Sequence, residues 1–236
     1  MKKIITLFFV LLFCSSTAFA DYITETFNNG DSLSAWGVDR EAPESFGIVG
    51  NELLMGIDET KTTAGFYSTQ GMQKDIGQST LLSIDMYIDS AWTDEGRYSG
   101  LWGVGYDTTG TLSSYPILEY AVTNGVGGVQ FWDGYSGWVV PPSNTFSTDA
   151  FNNFKFIITA AGVENYINDV LVFTDNATDT IYMSSVILNA KNTGIDYTAR
   201  YDNLTYGTAP VPEPATMLLF GLGILGLAGV NRKKNA

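Results

Sequence analysis

The chain has no histidine, one cysteine, and only 12 Lys and Arg against 25 Asp and Glu. Without histidine it lacks the usual general base near neutral pH, the Ser-His and Cys-His nucleophile pairs, and the commonest zinc ligand. Chemistry must therefore rest on carboxylates, tyrosines or lysines. The single Cys14 lies in an apolar run, Ile4 to Cys14, behind Lys2 and Lys3 and ahead of Ala18-Phe19-Ala20. A positive n-region, a short h-region and a small-x-small site make residues 1–20 a signal peptide, cleaved after Ala20. The run is too short to span a bilayer. Phe13 stands before Cys14 where a lipoprotein signal needs a small residue. Cys14 leaves with the signal, so neither disulfides nor thiol chemistry supports the exported chain.

The exported part is short of positive charge. Of the chain's 25 acids and 12 basic residues, 24 and 7 fall in residues 21–208, leaving a formal −17. Such a field excludes nucleic acid and anionic lipid surfaces as partners. Sustained helical periodicity is also missing. The body reads as about a dozen short strands punctuated by Gly, Asn, Asp and Ser. Leu82, Ile84, Met86 and Ile88 alternate with polar residues, as do Phe154, Phe156 and Ile158. Half-polar strands belong to antiparallel sheets with one wet face. Gly50-Asn51, Asn124-Gly125 and Asn168-Asp169 sit where hairpin turns are wanted. Together these features predict an all-β, antiparallel two-sheet sandwich over residues 21–208.

What is abundant lies at the C-terminus, in residues 209–236. Val211-Pro212-Glu213-Pro214 leads into an apolar run, Ala215 to Val230, closed by Arg232-Lys233-Lys234. At about 1.5 Å per residue the run makes about 24 Å of helix, short of a hydrocarbon core of roughly 30 Å unless the flanks sit among headgroups. Gly221, Gly223, Gly226 and Gly229 loosen that helix, and the basic stop leaves the passenger outside the cytoplasm. This order resembles the PEP-CTERM sorting tail of Gram-negative bacteria. The resemblance implies export through the translocon, transient anchoring by a transmembrane helix over about 215–230, and handling by an exosortase-type membrane protease. The destination is then the cell surface or the medium. An ordinary one-span anchor is the alternative.

Three stretches of the body resemble laminin-G-like, concanavalin-A-like jelly rolls. They are Glu25-Thr26-Phe27-Asn28-Asn29-Gly30, then Phe154 to Val172 around Tyr166-Ile167-Asn168-Asp169-Val170, and Tyr201-Asp202-Asn203-Leu204-Thr205-Tyr206-Gly207. The last of these typically pairs beside the first strand. The late hairpin departs from the pattern at Asp169, where glycine is usual. Some modules of this kind clip the first and last strands with calcium, and the resemblance points to Glu25 and Asp202 as ligands. Two carboxylates fall short of the six to eight oxygens calcium takes; a surface Asp before a turn-forming Asn is the other reading. No further cofactor is expected.

The densest aromatic stretch, Phe131-Trp132-Asp133-Gly134-Tyr135-Ser136-Gly137-Trp138, offers a sugar platform. Trp132, Tyr135 and Trp138 would stack on sugar faces and Asp133 would bond hydroxyls, with Trp92, Trp102 and Tyr106 extending the patch. The competing reading is that these rings fill the core. Catalysis is not expected. The Glu-x-Asp-x-x-Glu pattern usual in jelly-roll glycosidases is absent, and Asp85 and Asp89 lie roughly 13 Å apart along one strand, too far to cooperate. The expected function is non-enzymatic recognition of extracellular polysaccharide. The alternatives are a structural matrix component and a carboxylate-dependent glycan hydrolase or lyase.

Overall fold

A computed structural model describes residues 21–63, 65, 67–141, 146–192 and 194–209. The signal peptide, with Ala18 and Ala20, and the C-terminal segment, with Val211 to Pro214, the 215–230 helix and Arg232 to Lys234, lie outside the described residues. Tyr22–Ala209 forms one compact unit. Among the described residues no helix is long and apolar enough to cross a membrane.

The chain runs through β1 (Asp21–Glu25), β2 (Trp36–Arg40), β3 (Ser45–Val49), β4 (Glu52–Ile57), β5 (Thr69–Ser79) and β6 (Leu81–Ile88). It continues through β7 (Gly96–Tyr106), β8 (Leu112–Ser114), β9 (Ile117–Thr123), β10 (Val126–Asp133) and β11 (Gly137–Val139). The last five are β12 (Ala150–Thr159), β13 (Gly162–Ile167), β14 (Val170–Asp175), β15 (Tyr182–Lys191) and β16 (Tyr197–Thr208). Two eight-stranded antiparallel sheets result. The first is ordered β14-β13-β12-β6-β16-β4-β3 with β1 on β16; the second is β11-β10-β9-β7-β15-β5-β2 with β8 on β7. The all-β two-sheet sandwich is thus as expected, and β1 does pair with the last strand. The sixteen strands exceed the expected dozen, and two of the extra ones, β8 and β11, are three residues each and too short for alternation to show in sequence.

Period-two patterning places the core. Leu82, Ile84, Met86 and Ile88 of β6 are fully buried, as are Phe154 and Phe156 of β12. They belong to one apolar cluster with Leu101, Leu118, Val186 and Leu188 from the second sheet. Burying each such side chain contributes about 1.5–3 kcal/mol. The three expected hairpins have two consecutive left-handed residues apiece: Gly50 (φ 67°) and Asn51 (65°), Asn124 (52°) and Gly125 (72°), Asn168 (50°) and Asp169 (63°). That is the twist-matched geometry of two-residue loops. Asp169 replaces glycine there without losing the turn, because Asp tolerates the left-handed region and its carboxylate pairs with Lys155.

Candidate functional site

Strand register writes the site across the second sheet. Residue Gln130 of β10 stands opposite Glu119 of β9, which stands opposite Gly100 of β7, then Asn189 of β15, then Gly71 of β5. Two residues along, Trp138 of β11 faces Trp132, followed by Ile117, Trp102 and Ile187. Because side chains alternate, both rows lie on the sheet face turned away from the core. One row is polar and the other apolar. Trp102, Ile117 and Ile187 form a second small hydrophobic cluster there, with Val104 and Tyr115 packed against it.

Gly100 makes this arrangement possible. A Cβ at that position would meet Asn189 Oδ1 at 3.1 Å and Trp102 Nε1 at 3.2 Å, so a larger residue would require the amide and the indole to shift by a few tenths of an ångström. Trp102 instead stays fully buried, with the guanidinium of Arg40 4.9 Å and that of Arg97 5.1 Å from its ring centre. Arg97 also stacks on Trp138, 5.3 Å from the ring centre. Arg40 pairs with Asp39 and Arg97 with Glu119.

A groove of about 790 Å³ opens over the β9–β11 side of this face. Its lining includes Arg97, Glu119, Gln130, Trp132, Trp138 and Lys191, with Tyr67 and Glu95 at its margins. Trp132 and Trp138 meet edge to face, ring centres 5.3 Å apart, and each keeps 38% of its surface exposed. Glu119 is fully buried at the inner wall and accepts a hydrogen bond from Gln130 Nε2 at 2.6 Å. Burial raises its pKa above the ordinary value, and Arg97, Gln130 and Lys191 partly offset that.

The sequence-predicted residues divide. Trp132 and Trp138 line the groove. Asp133 is buried and turned inward, its Oδ1 accepting the amides of Tyr135 at 2.7 Å and Ser136 at 2.6 Å, so it shapes the β10–β11 turn. Tyr135 stands 89% exposed at the tip of that turn. Phe131, facing the other way, stacks on Phe173 inside the core at 4.0 Å. Trp92 is buried against Tyr98, and Tyr106 stacks on Tyr182. Glu25 pairs with Lys74 and accepts the Tyr206 hydroxyl at 2.8 Å, whereas Asp202 accepts the Asn203 amide at 2.8 Å. Among the described residues no group of three or more carboxylates, histidines or cysteines converges for a metal.

Arg97, Glu119, Gln130, Asn189 and Lys191 had not been singled out from the sequence. The one signal available was a lone acid inside the otherwise apolar Ile117-Leu118-Glu119-Tyr120-Ala121-Val122. Alternation puts that acid on a face, but only the register shows which residues share it.

Taken together, this is an antiparallel two-sheet β-sandwich with a groove on the outer face of one sheet. The PEP-CTERM protein-sorting motif matches residues 210–233, which implies export and exosortase sorting. No curated protein matches the chain. Among solved structures it is similar to the apo Crh5 transglycosylase, at 13% identity and a TM-score of 0.56, covering 83% of this chain and 87% of that one. A prokaryotic β-1,3-1,4-glucanase (lichenase) from a mouse hindgut metagenome gives 13% identity and a TM-score of 0.54, covering 82% and 100%. A native glycosidic hydrolase gives 13% and 0.51, covering 84% and 100%. At such identity the likeness is one of fold. It overturns the expectation of a non-enzymatic passenger, which rests on the missing Glu-x-Asp-x-x-Glu pattern and on the wide separation of Asp85 and Asp89. The sandwich formed here is one that glycan-cleaving and glycan-transferring enzymes use.

Proposed function

We propose that the chain is an exported, exosortase-sorted surface protein that acts on an extracellular polysaccharide as a carboxylate-dependent glycan hydrolase or lyase. The observation that carries this reading is Glu119, a buried carboxyl at the wall of an open groove whose rim is a pair of half-exposed tryptophans. The tryptophans take the apolar face of a sugar ring, and Gln130 and Arg97 hold Glu119 in place. Glu95 is the next acid on the groove, just before β7 and about four rungs from Glu119, or roughly 13 Å by strand rise. That exceeds the 5–9.5 Å of paired glycosidase carboxylates. The spacing favours elimination, which one group can carry out: Glu119 as the carboxylate takes the proton from the carbon beside a uronic carboxylate, the C–O bond to the departing sugar breaks as the C=C bond forms, and the same proton passes to the departing oxygen.

The test uses the full chain in a detergent that contains no sugar, incubated with the host's own exopolysaccharide. New reducing ends without an unsaturated product mark hydrolysis; reducing ends together with ultraviolet-absorbing unsaturated sugar mark elimination. Glu119→Gln, confirmed folded by its melting transition, is expected to abolish either. Undiminished release by that variant, or none by the parent, would remove the proposal.

A further inference from the structure

The groove's charges narrow the ligand further, on the premise that the groove holds a glycan. Residues 21–209 contain seven basic side chains. Five hold acidic partners: Arg40, Lys74, Arg97, Lys155 and Arg200. Lys61 donates to the Ala42 carbonyl. Lys191 is left, with neither an ion pair nor a hydrogen bond among the described residues, and it lines the groove. On the same face Arg97 Nη1 is buried without a hydrogen-bond partner, although Arg97 is paired through Nε. Asn189, fully buried and one strand over from Gly100, has neither Nδ2 nor Oδ1 hydrogen-bonded. A buried polar group left unsatisfied costs about 1–3 kcal/mol, so several on one face are unusual in a finished protein surface. Asn189 carries an unpaired donor and an unpaired acceptor and is not among the groove's lining residues, so the two cations set the preference, and anionic oxygen is the ligand chemistry that satisfies them.

The domain's overall charge of −17 acts in the opposite direction. It repels a densely charged polymer, while one anionic group within about 8 Å of the two cations feels them with little screening. Local attraction and global repulsion together select a ligand whose charges are far apart. We propose that the groove recognises a glycan with isolated carboxylates, a uronic-acid residue within an otherwise neutral chain. The carboxylate meets Lys191 and Arg97, and a neighbouring neutral sugar stacks on Trp132 and Trp138.

The experiment titrates the full chain, in sugar-free detergent, with three probes. These are a heteropolysaccharide with one glucuronate per repeat, the same polymer after carboxyl reduction, and a polyuronate. The native heteropolysaccharide is expected to bind about tenfold more tightly than its reduced form, the worth of one charge-assisted contact. At low salt it is also expected to bind more tightly than the polyuronate. Lys191→Gln should bring the native polymer down to the reduced one, and Lys191→Arg should keep the preference. Equal affinity for native and reduced polymer overturns the inference and leaves the groove as a neutral-glycan site. A preference that survives Lys191→Gln overturns it too, since the anion then sits elsewhere, as does tightest binding to the polyuronate. Failure of all three to bind removes both this inference and the glycan reading beneath it.

Discussion

The two sheets turn very different outer faces away from one core. On the first sheet, Asp85 of β6 accepts Asn153 Nδ2 and Asn203 Nδ2, each at 2.8 Å, so both carboxylate oxygens are satisfied by neighbours. Arg200 meets Glu52 through two bonds at 2.8 and 2.9 Å and lies over Tyr87, 4.0 Å from its ring centre. Those groups are half-exposed and paired with their neighbours. On the second sheet the matching Arg97–Glu119 pair is buried, an amide beside it is unpartnered, and two tryptophans stand open at the edge. The same period-two alternation built both faces. The difference is that the named polar groups of one face have partners, while the other leaves both Asn189 side-chain atoms and Arg97 Nη1 without a hydrogen bond.

The largest effect that would sharpen this contrast comes from the two Arg–Glu pairs. Arg97→Ala leaves a buried carboxylate alone and is expected to cost about 3–5 kcal/mol in denaturant unfolding. Arg200→Ala on the other face is expected to cost about 1 kcal/mol or less, since that pair is partly exposed. Equal costs would break the comparison.

Next comes pH. The folded pKa of Glu119 lies above its ordinary value of 4.5, so the stability it contributes is fully present below that pH and is lost as pH rises through the folded value. The stability difference between parent and Glu119→Gln should therefore shift against the parent as pH is raised from 4.5, measured by melting at several pH values. A difference that grows in the parent's favour would mean the Arg97 pair outweighs burial.

Smaller still are the rim changes. Trp132→Ala or Trp138→Ala removes an aromatic pair worth about 0.5–1.5 kcal/mol of stability beyond buried area. Glycan affinity, read by titration, should nonetheless fall about tenfold, as for a stacked anchor at a binding hot spot. The smallest effect is expected on the opposite sheet: Asp85→Asn should leave glycan affinity unchanged within error.

Much of the fold was legible in the sequence, because it is written locally. Alternation in Leu82–Ile88 and Asn-Gly chemistry at Asn124-Gly125 each depend on a few adjacent residues. The groove was legible only at its rim, where Trp132 and Trp138 fall six residues apart around a turn and meet once that turn closes. Glu119, Gly100 and Asn189 come from three strands separated by long stretches of chain, and their row exists only through register. Asp133 is read locally: beside Gly134 an Asp serves the turn's amides as readily as a ligand's hydroxyls, and here it accepts those of Tyr135 and Ser136. The expectation of a non-enzymatic passenger rested on single-strand patterns, and residues that several strands bring together leave no such signature.

The central claim, that the second sheet's outer face is the ligand face, is tested most directly by hydrogen exchange with and without the host's exopolysaccharide. Slowed exchange is expected in residues 96–102, 117–123 and 130–139, with 83–87 and 201–206 of the first sheet unchanged. Protection confined to the first sheet, or spread equally over both, would contradict it.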